Sequence, residues 1–404
     1  MEADMPASGQ RDYAARRRTG VCPLLPASIA TQFMKDEYPT GKADLMAAFM
    51  LRGQELTRRG GTWAMIDLPS WMSLKSFEGL RYDLLRTQRI ASMVHLGRGV
   101  FGSDFGSVAF VIDNVDPGTH STGVYRRLFE QHVDVRSVAT IEALFLDRDY
   151  NQFQVAQADF AAIPGSPIVY WLSEKMRAAF KSGEPLGEVA ELRQGHKTAN
   201  NDRFLREWWE VSESRTGFNC SSRADAEASS ARWFPYNKGG EFRRWYGNQE
   251  FVVNWEHDGA ELRAFGSEDG GRPKSRVQAT EFYFRPSISW PEVSSGAAAF
   301  RAFPVGFIFD STGSSGFSED GTRMAALLAI ANSSVSSSVL DAVAPGLRFD
   351  VGQVAKIPVL ESVVTDSAAE RMESLVSTAR YDWDAAETSW NFGVSPLVAL
   401  RDGA

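Results

Sequence analysis

Apolar positions fall into helical and strand periods along the first third of the chain. From Lys42 to Leu56, Leu45, Ala48, Phe49, the stem of Arg52 and Leu56 follow the 3.6-residue period, and Gly60-Gly61 supplies a stop, so a helix is expected over 42–56. Thr62–Ile66 is a short, nearly continuous apolar run, the form of a strand in a parallel sheet covered on both faces. Leu74, Phe77, Leu80, Leu84 and Leu85 predict a second amphipathic helix over 74–87, and strands are expected at Ile90–Leu96 and Ser107–Ile112. The last of these is close enough to the preceding strand to pair antiparallel as a hairpin-like edge. Alternating helices and strands imply an α/β layer.

Beyond about residue 150 the pattern changes to short strands, aromatics and dense Gly/Pro/Asn turn signals. Ser/Ala/Asp-rich 219–231 and Gly-rich 266–273 read as loops. Helices are expected over 168–182, 321–343 and 366–381. Residues 1–32, with Arg11, Arg16, Arg17 and Arg18 before Pro23 and Pro26, read as an ill-ordered lead. No internal repeat is evident.

Composition narrows the classes. At roughly 150 residues per domain, 404 residues suggest two or three. Hydrophobic content of 43% and charged content of 23% are globular, and no apolar run reaches the length of a spanning helix. Two cysteines, Cys22 and Cys220, are too few for a disulfide framework or a four-ligand zinc site, which favours a reducing, cytoplasmic setting. Net charge of −8 argues against coating nucleic acid everywhere but leaves room for a local basic groove. Eleven tryptophans and 26 phenylalanines fit a large core or platforms for unpaired bases.

Several catalytic readings fall away. Gly97–Gly102 matches G-x-G-x-x-G, yet a strand follows it where a dinucleotide site needs a helix N-terminus. The five histidines are scattered without metal-ligand spacing, no G-x-S-x-G elbow occurs, and Cys22 has no partner in reach.

The segments TGKADLMAAF (40–49), Arg59-Gly60-Gly61, Leu68-Pro69-Ser70-Trp71 with Ser76–Arg81, and LGRGVFG (96–102) resemble, in order and spacing, the later half of the catalytic domain of adenine-specific DNA methyltransferases. GHKTANNDRF (195–204), RWFPYNKGGEFRRWYG (232–247) with Val252–Trp255, WPEVSSG (290–296), GFIFD (306–310) and Ala355–Pro358 extend the resemblance over residues 33–395. Together they look like the PglX-type methyltransferases of bacteriophage-exclusion (BREX) systems.

The resemblance implies a partial Rossmann-like methyltransferase domain (33–155), a mixed α+β target-recognition domain (156–362) and a helical tail (363–404). In the family, S-adenosylmethionine donates the methyl group. The target adenine is flipped out of the duplex, and an Asn-Pro-Pro-Tyr tetrad holds its amino group by hydrogen bonds and its ring by stacking. Such chemistry needs acceptors in a desolvated pocket and no metal. Neither Asn-Pro-Pro-Tyr nor Asp-Pro-Pro-Tyr occurs in this chain, and the family's cofactor loop would lie upstream of residue 1. The implied reading is an internal segment that binds double-stranded DNA without methylating it alone, partnered by a separate chain carrying the catalytic half or by other phage-exclusion proteins. A non-enzymatic DNA-specificity module is the alternative.

Candidate DNA contacts are Lys197, Asn200, Asn201 and Arg203, then Lys238, Arg243 and Arg244, where cations alternate with aromatics, and Lys274 with Arg276 beside Arg272. Against these stand bland alternatives: a capped turn, a solvated hairpin face and a solvated loop. The tryptophans of 208–255 are expected mainly in the core.

A parallel sheet without its first strands leaves an edge and an apolar helix face bare. Residues 35–150 expressed alone are therefore expected to melt without a cooperative transition; a sharp calorimetric transition contradicts this.

Overall fold

The computed structural model describes residues 27–102, 105–130, 135–267, 270–294, 297–343 and 348–402. It divides into two compact units, Met1–Trp171 and Leu172–Ala404, each a mixture of helices and sheet. Arg11, Arg16–Arg18 and Cys22 lie outside the described residues. The lead ends earlier than residue 32, because helix α1 (Ala27–Glu37) carries Phe33 against Tyr38 at 6.0 Å.

In the first unit, Asp44 caps helix α2 (Leu45–Leu56) by accepting from Met46 N at 3.0 Å. Strand β1 (Thr62–Asp67) follows, then helix α3 (Glu78–Thr87), β2 (Arg89–Arg98), β3 (Gly106–Asp113), β4 (Thr122–Arg127), helix α4 (Val138–Leu146) and β5 (Gln152–Ala156). The sheet order is β1-β3-β2-β4-β5.

Two expectations are corrected here. Strand β3 pairs antiparallel with β2 as expected, but it also pairs antiparallel with β1, so it is interior rather than an edge. The edge is β1, and its alternating burial shows a strand covered on one face only. Its inward Trp63 packs edge-on to Phe110 and donates to buried Gln88 at 3.0 Å, while Ile66 is exposed. Only β2 and β4 run parallel.

One fully buried cation organises this core. Arg81 on α3 donates to the carbonyls of Trp71 and Leu74 at 2.8 Å and to Gly165 O at 3.0 and 2.7 Å. No carboxylate pairs with the guanidinium among the described residues, and burial pulls its pKa down to about 10 against a weaker opposing pull from Glu78.

The second unit begins with helix α5 (Glu174–Ser182), which starts later than residue 168 because Ser173 caps it, accepting from Met176 N. One four-stranded sheet contains β7 (Leu205–Glu207), β8 (Trp233–Asn237), β9 (Phe251–Asn254) and β12 (Ile308–Phe309), in the order β12-β8-β9-β7. The other contains β6 (Glu191–Arg193), β10 (Ser287–Pro291), β11 (Arg301–Phe303) and β13 (Gly313–Phe317), in the order β11-β10-β13-β6. Between β6 and β7, the short helix α6 (Asn201–Phe204) is capped by Asn200. Helix α7 (Arg223–Ala228), capped by Ser222, interrupts the segment 219–231 expected to be loop.

The helix expected over 321–343 is two, α8 (Gly321–Ala331) and α9 (Ser334–Val343), bent by 66°. The break is paid for at Asn332, whose amide bonds both the N–H and C=O of Phe300 at 3.0 and 2.8 Å. Helix α10 (Asp366–Asp384) matches expectation. Among the described residues no single helix is long and apolar enough to cross a membrane.

Replacing Arg81 with Leu removes the bonds to three carbonyls; Leu74 O keeps its bond from Phe77 N–H at 3.1 Å, while Trp71 O and Gly165 O lose their partner. The expected cost is about 3 kcal/mol in the urea-derived unfolding free energy; a change below about 1 kcal/mol contradicts the assignment.

Candidate nucleic-acid interface

Two basic segments distant in sequence meet in a short antiparallel ribbon. Lys197 N–H donates to Arg276 O at 2.9 Å and Arg276 N–H to Lys197 O at 3.0 Å. Extended chain alternates its side chains, and burial follows that alternation: His196, Thr198 and Ser275 are buried, while Lys197 and Arg276 are exposed. Neither cation has an ion-pair partner among the described residues. Lys274, also exposed, lies over Gly266, where a Cβ would approach its Cγ to 2.5 Å.

The ribbon is anchored from below. His196 N–H donates to Phe309 O at 3.1 Å and Ser311 N–H to His196 O at 2.9 Å. Gly195 passes so close to β12 that a Cβ would sit 1.9 Å from Phe309 O, which excludes every other residue there. Gln278 donates to Gly195 O at 2.8 Å.

Beneath lies a buried polar cluster at the turn from β12 to β13. Asp310 accepts from Tyr236 Oη at 2.6 Å and Lys238 Nζ at 2.8 Å through one oxygen. Through the other it accepts from Thr312 N at 2.7 Å and Thr312 Oγ1 at 2.8 Å. Burial raises the Asp310 pKa, but the Lys238 charge and these donors outweigh it and hold the carboxyl below the usual carboxylate range. Neighbouring Asn237 donates to Ser289 Oγ at 2.6 Å and Gly313 O at 3.1 Å, tying the two sheets together.

His196 lies between the rings of Tyr236 and Trp255. Tyr283 Oη donates to Gln278 O at 2.9 Å, so at its 3.0 Å contact with His196 Nδ1 the imidazole is the donor. Nε2 then keeps an unpaired lone pair in the interior. Burial chiefly, with Lys238 and Arg263 nearby, depresses the His196 pKa to about 4, against a weaker opposing pull from Asp310. His95 in the first unit is likewise depressed to about 4 by burial and Arg127.

The remaining candidates are occupied within the fold. Asn200 accepts from Arg203 N at 3.1 Å and Asn201 accepts from Thr198 Oγ1 at 2.6 Å. Arg203 pairs with Glu261 at 2.8 Å and lies over Phe204 and Phe265. Lys238 is spent on Asp310, and Arg243 pairs with Asp382 at 3.2 Å while stacking on Trp383. Arg244 has no ion pair among the described residues and stacks on Phe242. The sequence reading missed the acidic partners Glu256, Asp258 and Glu261, which pair with Arg215, Arg223, Arg263 and Arg203. Their spacing in one acidic segment, 256–261, was the available signal. Of the tryptophans, Trp255 is core, but Trp209 is 45% exposed.

The glycine loop is not a phosphate cradle. The Gly97–Gly102 loop connects strands β2 and β3, and a Cβ on Gly99 would sit 2.1 Å from Arg136 O, so the loop is packed and not open as a cradle. Among the described residues no group of three His, Cys, Asp or Glu side chains could hold a metal.

No protein-family model matches the chain. It is 37% identical over 384 residues to the adenine-specific methyltransferase PglX of Lacticaseibacillus casei (strain Zhang), covering 93% of this chain and 31% of that protein. It is 33% identical over 369 residues to the adenine-specific methyltransferase BrxX of Escherichia coli O9:H4 (strain HS), covering 91% and 29%. The chain thus spans about a third of the length of these curated relatives. Among solved structures, the Type IIL restriction-modification enzyme MmeI in complex with DNA aligns at TM-score 0.43 and 13% identity, covering 87% of this chain and 46% of that one. The DrdV–DNA complex aligns at 0.43 and 9%, covering 86% and 41%.

Because the folded pKa of His196 and His95 lies below the unfolded value, the unfolded chain takes up protons that the folded one refuses between pH 6.5 and about 4. Unfolding free energy is therefore expected to fall on acidification by on the order of 2 kcal/mol per histidine between pH 7 and 4.5. His196→Gln should flatten this dependence in urea titrations at the two pH values; an unchanged slope contradicts it.

Proposed function

From its homology to one segment of the adenine-specific methyltransferases PglX and BrxX, we infer that this chain supplies the DNA-recognition part of a site-specific adenine DNA methyltransferase of phage defence. The first unit is the later half of a Rossmann-like catalytic domain, and the second is the target-recognition domain. The observation that carries the DNA reading is the ribbon that brings Lys197 and Arg276 side by side, with Lys274 adjacent, in an otherwise acidic chain. Unpaired cations on a rigid ribbon are suited to phosphates, since binding costs them no existing ion pair and little ordering. Arg244 joins them. Arg203, Lys238 and Arg243 act within the fold by holding Glu261, Asp310 and Asp382.

The methyl donor, S-adenosylmethionine, and the base-holding tetrad come from a different segment in this reading. Two features of the first unit support such a partner. Helix α2 is apolar from Leu45 to Leu51 but buries only Met46, Ala47, Ala48 and Met50, leaving Leu45, Phe49 and Leu56 exposed on its other side. Strand β1 carries an unpaired edge with Ile66 exposed beside it. The large uncovered share of PglX and BrxX gives room for the missing part. The same features favour the second reading, a specificity module that never methylates by itself and joins a separate catalytic chain.

Incubation with DNA and labelled S-adenosylmethionine is expected to give labelled DNA only when a segment carrying Asn-Pro-Pro-Tyr is added; label with this chain alone contradicts the assignment. The logarithm of DNA affinity should fall linearly with the logarithm of salt concentration. Lys197→Ala with Arg276→Ala should reduce that slope by roughly 2, whereas Arg203→Ala should leave it unchanged. A flat salt response in the parent chain removes the DNA surface.

A further inference from the structure

The loop between β8 and β9, residues 238–250, is held far more rigidly than a surface connection requires. Gly239, Gly240, Trp245, Gly247 and Asn248 all have positive φ, and for Trp245, at 75°, this is a costly conformation for a bulky side chain. Backbone bonds from Trp245 N to Phe300 O at 2.9 Å and from Ala302 N to Trp245 O at 2.8 Å fasten that strained residue beside β11.

The other end of the loop is clamped by a buried cation. Arg301, with no exposed surface, donates to Gly239 O at 3.0 Å and to Glu241 O at 3.3 Å. No carboxylate pairs with it among the described residues, and burial lowers its pKa to about 10. Asn248 Nδ2 reaches the same two carbonyls at 3.3 and 2.9 Å. Burying an unpaired guanidinium is expensive; here its two terminal nitrogens donate to the carbonyls of Gly239 and Glu241, while Nε has no partner among the described residues.

Phe242 is what this clamp presents. Its ring is 51% exposed, and the Arg244 guanidinium lies 5.6 Å from the ring centroid. A lone exposed phenylalanine is ordinary on a protein surface. An exposed phenylalanine on a loop whose flanking backbone is held by Trp245, Arg301 and Asn248, with an unpaired cation over its ring, is an apolar point next to a phosphate-seeking charge.

We propose that Phe242 is a wedge that enters the base stack of duplex DNA, with Arg244 on the adjoining phosphate. An apolar side chain inserted between base steps pays for unstacking, and rigid presentation lowers the entropic cost of that insertion. The wedge would open the duplex locally, which a reaction on an extruded base requires. This rests on the reading that the second unit binds DNA.

The test uses the full 404-residue chain and two fluorescein-labelled 30-bp duplexes of one sequence, one fully paired and one with a central A·A mismatch, whose unstacking is partly prepaid. Anisotropy titrations should show at least fivefold tighter binding to the mismatched duplex. Phe242→Ala should reduce that preference below twofold while leaving the salt slope unchanged, and Phe242→Trp should retain it. Binding without preference in the parent chain overturns the wedge, as does a preference that survives in Phe242→Ala or an equal loss of affinity on both duplexes. Absence of salt-dependent binding to either duplex instead overturns the DNA reading itself. A Phe242→Ala chain whose DNA behaviour matches the parent in every respect assigns the exposed ring to a protein contact and likewise overturns the wedge.

Discussion

Asp310 sits where the chain leaves one sheet of the second unit and enters the other, and five donors converge on its carboxylate. A buried carboxylate without partners would be protonated or would let water in; with five donors, it stays ionised and fixes the turn. From that turn follow the parallel pairing of β12 on β8, the carbonyl that receives His196, and the path of Gly195 under the basic ribbon. Asn237, one residue from Lys238, links the sheets through Ser289 and Gly313. The orientation of Lys197 and Arg276 thus depends on a charge that never reaches the surface.

The acidic balance of the chain has a local explanation. Glu256, Asp258 and Glu261 lie against Arg215, Arg223, Arg263 and Arg203, mostly in half-exposed pairs worth little in stability that reduce the positive field there. What remains positive in that unit is the small set without partners. Discrimination between a basic stripe and a basic patch is therefore made by the placement of acids, a quantity that net charge averages away.

Local period was legible in the sequence; partner choice was not. The helices at 45–56 and 78–87 and the strands at 62–67, 89–98 and 106–113 fall within a few residues of their expected places, because their apolar spacing is strong and their stops are Gly or a cap. The interior position of β3 was hidden, since antiparallel pairing to β2 says nothing about a second neighbour. The bend at Asn332 was hidden because the Phe300 backbone that holds it is 32 residues away. In the candidate site, the three basic segments were visible as composition. Only the fold showed that Lys197 lies against Arg276 and that Lys238 is spent on Asp310. A carboxylate ending the apolar run Phe307-Ile308-Phe309 was the one linear hint of that cluster.

Alternation along the ribbon separates two jobs that a recognition surface usually mixes. Inward positions 195, 196, 198 and 275 are set by close packing and buried bonds, whereas outward positions 197, 274 and 276 are exposed. The outward set is thereby a natural cassette for combinatorial libraries: its identities can be exchanged while the frame beneath stays in register, which makes altered readout an engineering problem of three side chains instead of a refolding problem.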